Sequence, residues 1–154
     1  MSLTIEIADL DSPALRDLLE SHHAFVREHS PPESIHAFDL TGLRAPGVTV
    51  WWMLDGSVAA ACGALHTLDA SHVEVKSMHT AAAYQRRGLA RAMLGFLLET
   101  AQAHGARRVS LETGAQDGFA PARALYASAG FVETGPFAAY QADPNSVFMT
   151  LDLT

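Results

Sequence analysis

The chain has 154 residues, 49% of them hydrophobic and 18% charged, enough for one compact core, so a single domain spanning 1–154 is expected. A formal net charge of -7 argues against a nucleic-acid partner held by counterion release, and no apolar run reaches the about 18 residues of a membrane span. The start, MSLTIEIADLDSPALRD, lacks a basic and a long apolar signal region, and a lone cysteine, Cys62, excludes an internal disulfide; both point to the cytoplasm.

LTIEIA alternates and predicts a first strand. DSPALRDLLESHHAFVREH predicts a helix, with Ser12 as its cap and Pro13 at the first helical position. The prolines of SPPESIHAFDLTGL break any continuation and leave a turn and a short helix. GVTVWWML and GSVAAACGALHTL predict two strands joined at Asp55-Gly56, a hairpin signal. On the first of them, Trp51 and Trp52 must face opposite sides of the sheet. HVEVKSMHT predicts a further strand. The next helix runs from about Arg86 to His104, and Leu89, Met93, Phe96 and Leu97 recur along it as a core face. RRVSLET predicts a strand, FAPARALYASAG a helix ending at Gly130, and FVETG and SVFMTLDL two closing strands. The order is β-α-α-β-β-β-α-β-α-β-β. Strand, helix and strand between His72 and Thr113 demand a parallel crossover, while most other neighbours can pair antiparallel. A mixed α/β (α+β) sheet with helices on both faces is expected.

The stretch from Ala81 to Leu98 carries Arg86, Arg87 and Arg91 and no acid, in a chain that is acidic overall. A helix start is positive and favours anions, so three cations there oppose the macrodipole unless a polyanion binds among them. The unpaired N–H groups of that end are a phosphate site, Gly88 admits an anion to the backbone, and Ala90 is small. The competing reading is a solvated arginine face. Nine of the ten basic residues are arginine; the one lysine, Lys76, stands two residues after Glu74.

In YQRRGLA, residues Gln85, Gly88 and Ala90 fill the defining positions of Q/R-x-x-G-x-G/A. This resembles the motif of the GNAT superfamily of acyl-CoA-dependent N-acyltransferases. A strand ending in SMHT precedes it, a helix and a strand follow, and ARALYASAGF is similar to the superfamily's A-x-x-L-Y-x-x-x-GF ending. The resemblance covers nearly the whole chain. SPPESIHAFD, EVKSM, LETG and DPNSVFM are similar to one bacterial small-molecule subgroup, some members of which are named indole-acetate acetyltransferases. Neither G-x-x-x-x-G-K-[ST] nor a strand-linked G-x-G-x-x-G is present.

The resemblance implies the GNAT fold and acetyl-CoA as co-substrate, lying where two parallel strands splay apart. Main-chain groups of Met78 and Thr80 would pair with the pantetheine arm as an added strand does. Gln85, Arg86, Arg87, Gly88, Leu89, Ala90 and Arg91 would hold the pyrophosphate, and an N–H near Met78 would polarise the thioester carbonyl. Glu74 falls where histone-acetylating members carry a catalytic glutamate and is the candidate base. By strand alternation it shares a face with Lys76, Met78 and Thr80, while His79 points away. The alternative is a Glu74–Lys76 ion pair. Tyr126 matches the tyrosine placed near the CoA sulfur and is the candidate acid, against a buried core tyrosine. Phe119 stands where many members have Asn, which removes one side-chain contact to CoA.

Cys62, framed by no His–Asp pattern, reads as a core residue, and the spacing of His22, His23, His29 and His36 fits no metal set, so no metal is expected. The acceptor is expected under SPPESIHAFD and YQADPNS, where Ser34, His36, Lys76 and Tyr140 would meet Glu74. Lys76 and His36 would suit an amine that also carries a carboxylate. The leading reading is a small-molecule N-acetyltransferase acting by direct attack in a ternary complex. A non-catalytic acyl-CoA sensor and a protein N-acetyltransferase are its rivals, and a homodimer is left open.

Overall fold

The computed structural model describes residues 3–32 and 40–153. The elements follow the predicted order: β1 (Leu3–Ile7), α1 (Pro13–His29), α2 (Leu40–Leu43), β2 (Val48–Asp55), β3 (Val58–Thr67) and β4 (His72–Thr80). Then come α3 (Leu89–Ala103), β5 (Arg108–Gly114), α4 (Ala120–Ser128), β6 (Val132–Thr134) and β7 (Ser146–Asp152). Single 3-10 turns at Ala82–Tyr84 and Asp117–Phe119 precede α3 and α4. Ser12 caps α1 through its hydroxyl, which accepts from the Ala14 N–H at 3.2 Å, and Pro13 follows at the helix start. Gly56, at φ +60°, turns the β2–β3 hairpin in a conformation that favours glycine.

One seven-stranded sheet has the order β1-β2-β3-β4-β5-β7-β6. Every neighbouring pair is antiparallel except β4 and β5, which the α3 crossover joins in parallel. Each face of the sheet buries its own core. Met93, Leu94 and Leu97 of α3 pack with Trp51, Met53, Leu65 and Val109 on one side, together with Tyr126 of α4. Leu15, Leu18 and Leu19 of α1 pack with Val50, Trp52, Cys62 and Ala64 on the other. Adjacent Trp51 and Trp52 thus enter different cores, as alternation requires. Cys62 is a core residue; burial pushes its thiol up to about 12. Among the described residues no helix is long and apolar enough to cross a membrane.

The structure corrects two local expectations. Helix α3 starts at Leu89, not near Arg86, because Arg86 (φ +63°) and Gly88 (φ +82°) are left-handed and a right-handed helix cannot contain them. Arg86 and Arg87 therefore lie in the loop, and only Arg91 rides on the first turn. Strand β4 also carries a bulge. Ala64 pairs with Lys76 and Cys62 with His79, so two residues, Ser77 and Met78, oppose the single Gly63. Ser77 takes a left-handed φ of +55° there. Alternation slips by one residue at this point. Glu74, Lys76 and His79 face α1, and Met78 and Thr80 face α3, so His79 shares the Glu74 face and Met78 does not. Gly63 makes room for the slip, since a Cβ there would lie 2.9–3.0 Å from Leu97, Met78 and Met93.

Candidate active site

Strands β4 and β5 pair only at His72/Arg108, Val73/Val109 and Glu74/Ser110 and then diverge. Beyond Glu74 the β5-facing edge of β4 has no strand partner among the described residues, and a cleft of about 590 Å³ opens between the two strands. The bulge at Ser77 bends β4 where the separation begins, as bulges do. The Ser77 hydroxyl lies buried in this wall with no hydrogen-bond partner among the described residues.

At one end of the cleft stands the loop before α3. The first N–H groups of α3 have no intrahelical acceptor, no side chain caps them, and its first turn holds no acid. The left-handed residues Arg86 and Gly88 curl the preceding backbone into the kind of turn that gathers N–H groups around an anion. A Cβ on Gly88 would meet nothing within 4 Å, so the space before it is open. Tyr84 ties this loop to the β2–β3 hairpin by donating to Asp55 Oδ2 at 2.6 Å, and the Arg87 guanidinium lies 5.5 Å from the Tyr84 ring centre. Arg91 reaches across to α4 and donates to Ser128 Oγ at 3.2 Å.

At the other end, charged side chains crowd the α1 face. Glu74, only 3% exposed, accepts at Oε2 from Tyr140 Oη (2.6 Å) and Lys76 Nζ (3.2 Å), and His66 Nδ1 approaches Oε1 at 3.4 Å. Lys76 also donates to Tyr140 Oη at 2.7 Å. Burial and the Glu74 charge push the Tyr140 phenol far above its ordinary range. One strand away, Glu112 of β5 reaches the same cleft and is raised to about 7, chiefly by burial, with the Ser146 hydroxyl and Lys76 opposing the rise. Tyr126, buried on the α3 and α4 side, is raised to about 12 by burial and then by the Glu112 charge. From α1, burial holds the His22 imidazole down at about 3, with His79 and His23 adding to the effect, and its buried Nδ1 has no hydrogen-bond partner among the described residues. His79 is lowered by burial too and meets Ser21 Oγ at 3.1 Å. Phe25 and Phe119 pack edge to face at 5.4 Å beside them.

The profile of the Acetyltransferase (GNAT) family matches residues 12–131. YsnE of Bacillus subtilis, an uncharacterized N-acetyltransferase, is 47% identical over 149 residues, 97% of this chain and 99% of that protein. The chain belongs to the GNAT acetyltransferase family. YedL of Escherichia coli, another uncharacterized N-acetyltransferase, is 45% identical over 97% of this chain and 94% of its own. The IAA acetyltransferase of Azospirillum brasilense is 31% identical over 88% of both chains. Among solved structures, one from Klebsiella pneumoniae, provisionally described as an acyl-CoA N-acyltransferase, superposes with a TM-score of 0.83 at 25% identity, covering 99% of this chain and 98% of that one. A GNAT acetyltransferase from Elizabethkingia anophelis, solved with acetyl-CoA bound, superposes at 0.71 with 17% identity over 98% of both chains.

In this GNAT acetyltransferase the residues singled out from the sequence fall into three groups. Gln85, Arg86, Arg87, Gly88 and Arg91 are exposed around one loop, Ala90 is half-buried beside them, and Leu89 is in the core, so only its main chain faces the loop. Glu74, Lys76, Tyr126 and Tyr140 converge on the cleft beside Met78 and Thr80. Ser34 and His36 lie outside the described residues. Phe119 packs its ring on Gly114, where a Cβ would collide with it, and serves as an apolar wall. No group of three His, Cys, Asp or Glu side chains among the described residues forms a metal site. Glu112 carries no site motif of its own in the sequence, where His22 reads only as a rejected metal ligand and His79 as a residue pointing away from Glu74. The one signal for Glu112 was an acid inside the apolar strand VSLETG; its place opposite Glu74 depends on the β4–β5 register.

Proposed function

We propose that this N-acetyltransferase moves the acetyl group of acetyl-CoA to the amine of a small molecule by direct attack in a ternary complex. The observation that carries this reading is the cleft itself, open along β4 beyond Glu74, with an anion loop at one end and carboxylates at the other. The anion loop suits a pyrophosphate: N–H groups and a helix dipole face it, and Arg86, Arg87 and Arg91 add charge. The unpaired edge of β4 suits an amide-bearing arm laid down as an extra strand. The bulge leaves main-chain N–H groups near Ser77 and Met78 available to a thioester oxygen, where a preorganised donor stabilises developing charge. Tyr126 stands on the α4 side as a hydrogen-bond donor to the leaving sulfur.

The acceptor enters from the α1 face. Phe25, Phe119 and the neutral rings of His22 and His79 supply apolar and aromatic walls, and Glu74 and Glu112 supply negative charge for an ammonium. Lys76 is engaged with Glu74 and Tyr140, so the site favours an amine on a compact apolar or aromatic body over an amino-carboxylate. Calorimetry with acetyl-CoA and thiol release with a panel of amines test the reading. Arg87→Glu is expected to weaken acetyl-CoA binding by roughly 10²-fold with the fold intact, because it replaces an attraction to phosphate with a repulsion. Unchanged affinity in that variant would refute the anion loop. Binding without turnover on any amine would favour an acyl-CoA sensor, and turnover confined to peptide termini would favour a protein acceptor.

A further inference from the structure

We propose that Glu112 is the general base of the transfer, taking the proton of the acceptor ammonium directly or through one water. The inference rests on the cleft reading above and assigns a role within it. Glu74 and Glu112 lie on the same sheet face: Glu74 pairs with Ser110, and Glu112 is two residues further along β5. They sit on opposite sides of the point where the strands part. Glu74 belongs to the paired part, where Tyr140 and Lys76 donate to it and it is closed off from solvent. Those contacts make it the anchor of Lys76 and Tyr140, which it positions. Glu112 belongs to the diverging part, half-buried and lining the cleft.

The surroundings of Glu112 join the two halves of the reaction. Its charge acts on Tyr126, on the sulfur side, and on Tyr140, on the acceptor side. Facing it are Lys76 and Glu74 from β4, Ser146 from β7 and Asp143 from the loop before β7. Burial and the acids Glu74 and Asp143 raise its proton affinity, Ser146 and Lys76 lower it, and the balance at about 7 is where a base is half available at neutral pH. A carboxylate in this position also binds the ammonium before it deprotonates it. One ammonium proton passes to Glu112, and the freed lone pair forms the C–N bond to the acetyl carbon. The C–S bond breaks, the second nitrogen proton accompanies the departing thiolate to give the CoA thiol, and Glu112 returns its proton to water.

The test is a pH–rate series for thiol release from acetyl-CoA, with tryptamine and phenethylamine as probe amines, on wild type, Glu112→Gln and Glu74→Gln. Glu112→Gln is expected to lower kcat/KM by roughly 10²–10⁴ at neutral pH, with calorimetric acetyl-CoA affinity unchanged and Tm not lowered. The rise of kcat/KM through pH 7 is expected to vanish in Glu112→Gln and to persist in Glu74→Gln. A Glu112→Gln enzyme within about threefold of wild type and keeping that rise overturns the proposal, as does loss of the rise in Glu74→Gln alone. Carbon-13 NMR of carboxyl-labelled glutamate reads the same group without any acceptor. A resonance that titrates near 7 and disappears in Glu112→Gln is expected; its absence from wild type overturns the proposal. A wild type that binds acetyl-CoA yet acetylates no amine refutes the transfer reading instead, and the NMR titration then decides the ionisation of Glu112 independently.

Discussion

The side of β4 that meets α3 carries Val73, Val75 and Met78, whereas the side that meets α1 carries Glu74, Lys76 and His79. On the first side α3 covers the strand with Met93 and Leu97, both fully buried. On the second, two charged side chains are buried as well, Glu74 at 3% and Lys76 at 9% exposure, and are satisfied by each other and by Tyr140. The two faces are held by different physics. Apolar burial is non-directional and tolerates imperfect partners, at about 25 cal/mol per Å². A buried charge loses its hydration and is tolerable only with its partners in place. The apolar face therefore anchors the strand, and the polar face spends some of that stability on chemistry.

Breaking the polar face at one partner is expected to do the most harm. Lys76→Met leaves Glu74 buried without its cation and is expected to cost about 3–5 kcal/mol in denaturant unfolding. Adding Glu74→Leu removes the uncompensated charge and is expected to restore a substantial part of the loss; a double variant as unstable as the single would show that packing, not charge, is at stake. On the apolar face, Leu97→Ala is expected to cost about 2–5 kcal/mol by leaving a cavity between α3 and the sheet. Because no charge is stranded, acetyl-CoA affinity per folded molecule is expected to stay near wild type, which calorimetry below the melting range would check.

Glu112 sharpens the contrast with the opposite sign. Its folded-state value of about 7 lies above the ordinary 4.5 of a glutamate, so the unfolded chain releases this proton first as pH rises. Its contribution to stability is therefore fully present below pH 4.5 and is lost as pH climbs through 7. Glu112→Gln, which cannot ionise, is expected to gain roughly 1–3 kcal/mol over wild type at pH 8 and nothing at pH 4. Denaturant melts at the two pH values would show it, and an equal effect at both would mean that Glu112 is not held in a destabilised state. A residue whose replacement stabilises the fold while stopping turnover marks the face on which function costs stability.

The order of strands and helices was legible because each element carries its own period. Alternation marks LTIEIA and HVEVKSMHT, helical spacing marks Leu89 to Leu97, and Ser12-Pro13 and Asp55-Gly56 punctuate the boundaries. The loop proposed to hold an anion stands out for a similar reason: three arginines beside a helix start conflict with the dipole, and that conflict is visible in a few consecutive residues. The bulge was not. Ser77 is neither glycine nor proline, and its left-handed conformation sits opposite Gly63, where a Cβ would crowd Met78 and α3. With the bulge hidden, strict alternation put Met78, His79 and Thr80 on the wrong faces. Glu112 was not legible, because an acid inside one apolar strand reads the same whether it is solvated or enclosed. Its environment is assembled from Glu74 and Lys76 on β4, Tyr126 on α4, and Tyr140, Asp143 and Ser146 on the way into β7. Period, caps and charge conflict act over one or two turns of chain and are written into the sequence. Register, bulge and the meeting of Glu112 with its neighbours depend on contacts across dozens of residues, which exist only once the sheet has closed.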